Sequence, residues 1–205
     1  MADFAQPLLE TDADPDPLAQ FDAWFAAAVE AGVRAPEAMA LATAERSGAP
    51  SVRMVLLKGR DARGFRFFTN HGSRKGRELE QNPRAALLFH WDALGRQVRI
   101  EGSVSRLPAR ESAAYIRTRP RASQLSALAS PQSSPIPSRE WLERRVAELA
   151  TQLGGREPPL PEHWGGYLLH PARFEFWQHR EDRLHDRLLY TPAAGGGWQI
   201  QRLAP

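Results

Sequence analysis

Cysteine is absent from all 205 residues, which excludes disulfides, thiolate nucleophiles, iron–sulfur clusters and thiolate zinc sites. Lysine is nearly absent as well: only Lys58 and Lys75 accompany 25 arginines. No apolar run is long enough to cross a bilayer, and residues 1–16 are acidic without the apolar centre of a secretion signal, so a cytoplasmic protein is expected. The phosphate loop G-x-x-x-x-G-K-[ST], the dinucleotide turn G-x-G-x-x-G, the G-x-S-x-G elbow and the H-E-x-x-H zinc helix are all missing. A bound nucleotide would therefore sit outside the usual strand–turn–helix cradle. The six histidines lack close metal-ligand spacing, and no metal is expected. Basic residues are interleaved with Asp and Glu rather than gathered in a block, which argues against nucleic acid as the partner.

What remains describes a loop-rich globular chain. A hydrophobic content of 42%, with 17 prolines and 15 glycines, suits one core, so residues 17–205 read as a single domain behind a flexible segment 1–16. The net charge is only +3, but arginine presents a planar fork of donors suited to phosphate. Most of these arginines read as ordinary surface residues. The two lysines carry more information, because they mark places where a compact ammonium is retained.

Residues 17–33 place Leu18, Phe21, Trp24, Phe25 and Val29 at helical spacing, with Gly32 as a stop. Strand-like stretches follow at 39–44, 51–58 and 65–69, the last two joined by a polar turn at 59–64. Ser73 is placed to cap a short helix ending at 81. Strands at 84–90 and 97–104 precede a helix over 108–118 that Pro120 ends. Residues 130–138 form a Ser/Pro-rich loop, and 139–153 a helix burying Trp141, Leu142, Val146, Leu149 and Leu153. Strands at 166–170, 173–178, 187–190 and 198–203 complete the pattern, which predicts an antiparallel barrel with added helices rather than βαβ units.

Several segments could carry chemistry. Arg53 and Lys58 bracket an apolar strand and point to opposite faces, which separates them into two anion sites or two parts of one; a core strand with solvated ends explains the same pattern. Ser73-Arg74-Lys75 sets cations at a helix N-terminus, an arrangement that opposes the helix dipole unless an anion is bound there. In an extended strand Arg183, His185 and Arg187 share one face, with Asp182 and Asp186 on the other; this suits an anion or a charged edge strand. Tyr115 and Arg119 are four apart on a helix, with Ser123 beyond the proline break, a set able to bind phosphate. Gln97, Gln132, Ser133 and Trp177 offer amide, hydroxyl and indole groups for a heteroaromatic ring.

Taken in order, these motifs resemble the pyridoxine (pyridoxamine) 5′-phosphate oxidase family from about residue 16 to the end. They include 53–58 (RMVLLK), 67–75 (FFTNHGSRK), 82–84 (NPR), 96–98 (RQV), 119–121 (RPR), 164–166 (WGG), 175–177 (EFW), 183–187 (RLHDR) and the terminal 202–205 (RLAP). The resemblance implies a mainly β, α+β protein: an antiparallel, Greek-key-like split β-barrel with peripheral helices, homodimeric, with FMN at the subunit interface. By position it assigns FMN to Arg53, Met54, Val55, Leu56, Leu57, Lys58, Phe68, Thr69, Arg74, Lys75, Gln97, Gln132, Ser133, Trp177 and Arg187. It assigns the substrate phosphate to Lys58, Tyr115, Arg119 and Ser123, and the pyridine ring to Arg183, Leu184 and His185, with Arg183 and His185 as the catalytic pair. The implied reaction oxidises pyridoxine or pyridoxamine 5′-phosphate to pyridoxal 5′-phosphate, with dioxygen as acceptor and hydrogen peroxide as product. A paralogous oxidase of a phenazine precursor, or a non-catalytic flavin- or haem-binding split barrel, is the alternative. Phe68 stands where the family's run carries tyrosine, and residues 1–16 lack the family's basic, tyrosine-containing leader.

Overall fold

The computed structural model describes residues 7–205. Helix α1, Pro17–Glu30, starts where its chemistry dictates: the Asp16 carboxylate accepts the Leu18 N–H, and proline occupies the first turn, where no donor is needed. It buries Phe21, Trp24 and Ala28, while Leu18 and Phe25 pack at the margin of the core. Val29, expected on that stripe, is 55% exposed, because Ala28 takes the i+7 position from Phe21 and turns residue 29 outward.

Nine strands form one antiparallel sheet: β1 (Ala38–Ala44), β2 (Pro50–Leu56), β3 (Gly59–Asp61), β4 (Gly64–Asn70), β5 (Arg84–Trp91), β6 (Arg96–Arg106), β7 (Trp164–Gln178), β8 (Asp186–Pro192) and β9 (Trp198–Arg202). The order is β2-β1-β5-β6-β7-β4-β3, with β8 beside β7 and β9 beside β8. The turn at 59–64 thus contains a short strand, β3, that composition alone did not reveal. The two strands expected at 166–170 and 173–178 are one, β7. Its first part pairs with β4 and its last part with β8, while β6 runs along both. The bend lies at a register shift between Glu101 and Gly102, opposite Pro171. A side chain at 102 would set its Cβ 1.9 Å from the His170 carbonyl oxygen. Gly102→Ala is therefore expected to lower the melting temperature by many degrees, an effect read by circular dichroism.

This exchange of neighbours curls the sheet into a split barrel, giving the expected α+β class. Phe21 plugs the barrel, its ring centroid 5.0 Å from Phe65 and 4.9 Å from Phe89. Phe174, Phe176, Leu188 and Tyr190 extend the same core, with Phe174 6.0 Å from Phe65. Burying each such ring contributes about 2–3 kcal/mol relative to exposure.

Four further helices decorate the barrel: α2 (Arg74–Gln81), α3 (Ala109–Thr118), α4 (Arg121–Ala129) and α5 (Arg139–Leu153). Pro120 does end α3, but it also precedes a further helix, α4; a proline with its fixed φ suits a helix start. The inner face of α5 is half-buried rather than buried. Of the segment expected to be flexible, residues 1–6 lie outside the described residues, whereas residues 7–16 dock on the barrel. Leu8 and Ala13 are buried, Arg202 pairs with Glu10 at 2.7 Å, and the Tyr190 hydroxyl donates to the Asp14 carbonyl. Among the described residues no helix is long and apolar enough to cross a membrane, and no cluster of three acidic or histidine side chains could hold a metal ion.

Candidate functional site

A cavity of about 660 Å³ opens between β2, β4, α2, α3 and α4. β2 is the edge of the sheet, and its outer face is apolar: Val52, Met54 and Leu56 are 68%, 65% and 42% exposed. Met54, Val55 and Leu56 form one wall, Phe68, Thr69 and Lys75 another, and Gln132 reaches in from the loop after α4. Lys58, Tyr115, Arg119 and Ser123 line the same cavity. Tyr115 comes from α3, Arg119 from the link before Pro120 and Ser123 from the first turn of α4, so both helices contribute to this lining. Burial pushes the Tyr115 phenol up, against the opposing charge of Arg119, so it remains a donor.

An aromatic stack backs this group. Phe68 lies 4.0 Å from Tyr115 and 5.5 Å from Trp164, and the Arg119 guanidinium sits 5.6 Å over the Trp164 ring. Trp164, the first residue of β7, joins this stack and lines the cavity, a placement that no local pattern in the sequence signals.

Ser73 caps α2, accepting the Gly76 N–H, and Lys75 is 8% exposed. Its ammonium donates to Gln132 Oε1 at 3.0 Å and Thr69 Oγ1 at 3.2 Å, both neutral. Burial, then the nearby Arg53 charge, push its pKa down to about 8. A desolvated cation at a helix N-terminus, with neutral contacts only, is a fitting seat for an anion such as a phosphate.

Other expected residues lie elsewhere. Leu57 belongs to the core, 5% exposed, and does not line the cavity. Arg53 and Lys58 do occupy different surroundings: Arg53 turns away to Thr43, Ser51 and Glu78. Arg74 also binds Glu78, at 2.8 Å. Burial raises the Glu78 carboxyl, but hydrogen bonds from Ser51, Thr43, Arg74 and Arg53 bring it down to about 2. Ser133 is exposed with φ +71°.

Trp177, Arg183 and His185 meet in a second hollow, together with His179 and Arg180. No residue lines both hollows. Here one expectation fails: residues 182–185 are not extended strand, which begins only at Asp186. A tight helical turn at Glu181–Arg183 precedes β8, with Asp182 and Arg183 at φ +54° and +61°. Arg183 and His185 meet through this turn, and Leu184 is left 70% exposed. Left-handed backbone at non-glycine residues costs about 1 kcal/mol each and tends to persist at ligand sites. The His185 Nδ1 accepts the Arg180 N–H at 3.1 Å. Arg187 leaves this group for Glu175, at 2.9 Å, and Asp186, expected on the face away from the three basic residues, pairs with Arg202 at 2.7 Å. Burial raises the Glu175 carboxyl, but Arg187 and Arg99 outweigh it and hold it below the usual value. Gln97 is the cross-strand neighbour of Trp177, as is Arg187 on the other side.

Comparison with known proteins identifies the family. Residues 25–153 match the model described as pyridoxamine 5′-phosphate oxidase, and residues 164–205 that of the pyridoxine 5′-phosphate oxidase C-terminal dimerisation region. The chain belongs to the pyridoxamine 5′-phosphate oxidase family. A pyridoxine/pyridoxamine 5′-phosphate oxidase of Rubrobacter xylanophilus is 59% identical over 97% of this chain and 91% of its own length. One from Paraburkholderia phymatum is 55% identical over 95% of this chain and 92% of its own. Among solved structures, PhzG from Burkholderia lata, in complex with tetrahydrophenazine-1-carboxylic acid, superposes with a TM-score of 0.89 at 36% identity, covering 97% of this chain and 98% of that one. The large cavity, Trp164 apart, lies outside the oxidase family's dimerisation region, whereas Trp177, Arg183, His185 and Arg187 all lie inside it.

Proposed function

We propose that the chain is an FMN-dependent pyridoxine/pyridoxamine 5′-phosphate oxidase, active as a homodimer in which each large cavity is completed by Trp177, Arg183, His185 and Arg187 of the second copy. The observation that carries this reading is one cavity lined by two phosphate-suited groups of side chains. Lys75, Thr69 and Gln132 form one; Lys58, Tyr115, Arg119 and Ser123 form the other. The apolar edge strand β2, exposed beside the cavity, supports closure by a second copy, as does the match to a dimerisation region.

When bound, FMN supplies a two-electron acceptor that dioxygen reoxidises, releasing hydrogen peroxide. The protein's part is placement. Lys58 and Arg119 grip the substrate phosphate remote from the reacting carbon, so that binding energy there aligns the carbon bearing the alcohol or amine. Arg183 and His185 meet the pyridine ring. Because His185 Nδ1 accepts the Arg180 N–H, the neutral imidazole carries its proton on Nε2 and presents a donor to substrate.

A second reading, oxidation of a phenazine precursor, is favoured by the likeness to PhzG. The four phosphate-suited side chains of the second group favour the phosphorylated pyridine. The purified protein is expected to be yellow and to release peroxide in air when given pyridoxine or pyridoxamine 5′-phosphate. A flavin-bound protein inert to both would falsify the substrate assignment.

A further inference from the structure

Glu78 is a carboxylate set among Arg53, Arg74 and Lys75, three cations that the family resemblance assigns to FMN. It lies on α2, one turn beyond Lys75, with its side chain 2% exposed. Its Oε2 accepts from the Ser51 hydroxyl at 2.6 Å, from the Thr43 hydroxyl, and from Arg53 at 3.1 Å; its Oε1 accepts from Arg74 at 2.8 Å. The two hydroxyls also accept from Arg53, so each links guanidinium to carboxylate. Arg53 donates to the Leu41 carbonyl as well, at 3.1 Å. The fork is therefore held on several sides by partners from β1, β2 and α2.

We propose that Glu78 is a positioning residue for the cofactor phosphate: without meeting the ligand, it holds Arg53 and Arg74 in fixed orientation beside Lys75 at the start of α2. The inference rests on the FMN reading above. Two physical points carry it. First, an unrestrained arginine loses rotamer freedom on binding, whereas one already pinned by a buried carboxylate has lost it on folding. Second, Arg53, Arg74 and Lys75 with Glu78 leave two net positive charges, which balance the roughly −2 of a phosphomonoester. Without Glu78 three cations would crowd one helix start with nothing to hold them apart.

The test titrates the flavin-free full chain with FMN and with riboflavin, which lacks the phosphate. Wild type is expected to prefer FMN, and Arg53→Ala to lose much of that preference. Glu78→Gln keeps the side chain's size but turns an amide N–H₂ toward the arginines. It is expected to weaken FMN at least tenfold and riboflavin less than twofold, and to have little further effect on FMN in the Arg53→Ala background. FMN binding as tight as wild type overturns the proposal, and so does an equal loss for both flavins, the mark of a merely structural residue. If Glu78→Gln does not fold, Ser51→Ala removes one of the linking hydroxyls and is expected to reduce the FMN preference about threefold; an unchanged preference is then the overturning result. Wild type showing no preference for FMN would instead remove the cofactor reading itself, and the proposal with it.

Discussion

Replacing Lys75 by methionine is expected to weaken FMN binding about 30- to 100-fold while leaving the fold intact. The methionine stem occupies the space of the lysine stem, but the ammonium that meets Gln132 and Thr69 is gone. A charge-assisted hydrogen bond to phosphate in a partly buried site contributes about 2–3 kcal/mol, and 1.4 kcal/mol is tenfold in affinity. Flavin retained after dialysis and a direct FMN titration both read the effect; unchanged affinity would remove Lys75 from the phosphate site. The same residue sets a pH dependence. In the free protein its pKa is pushed down to about 8, and a phosphate beside it stabilises the charged form and raises that value. Binding then takes up a proton above pH 8, so the lysine's contribution to affinity is constant just below about 8 and falls as pH rises through it, by up to tenfold per unit. Lys75→Met is expected to abolish this limb.

The second large effect is expected at Arg183. Arg183→Ala should lower kcat about 100- to 1000-fold, with FMN affinity within twofold of wild type. The expected loss corresponds to about 3–4 kcal/mol, the scale on which a well-placed polar group stabilises a transition state. The substitution leaves Lys58 and Arg119 in place, so KM for the phosphorylated substrate changes much less than kcat. Anaerobic bleaching of the flavin by substrate isolates the affected step. Loss of flavin instead would place Arg183 with the cofactor, and unaltered turnover would remove it from the site. Position 183 is left-handed at φ +61°, and alanine there costs about as much backbone strain as arginine, so the melting temperature should barely move.

How much of this was legible in the residues differs from element to element. The α1 start, the Ser73 cap and the run of alternating strands follow from local signals: a capping oxygen, a proline in the first turn, period-two burial. The helix after Pro120 was missed although Ala122, Leu125 and Ala129 stand at helical spacing, because the run is short, its apolar stripe is mostly alanine, and a proline marks its start. The bend in β7 was read as a break because Pro171 and Ala172 look like a turn; only the bulge opposite, at Gly102, shows that one strand passes through. The 182–187 segment was read as extended because alternating charge fits a strand, and the left-handed pair Asp182 and Arg183 has no composition signal.

The candidate site divides in the same way. The ordered motifs were enough, from the sequence by itself, to name the family, because that depends on residue type and order. Which residues share a cavity depended on the curl of the sheet and the break at Pro120, which join β2, β4, α2, α3 and α4 around one space. Tertiary structure alone also turned Arg53 and Arg74 onto Glu78, and Arg187 onto Glu175. A buried carboxylate satisfies itself with whichever cations the fold brings within reach, and that reach is a property of packing, not of sequence spacing.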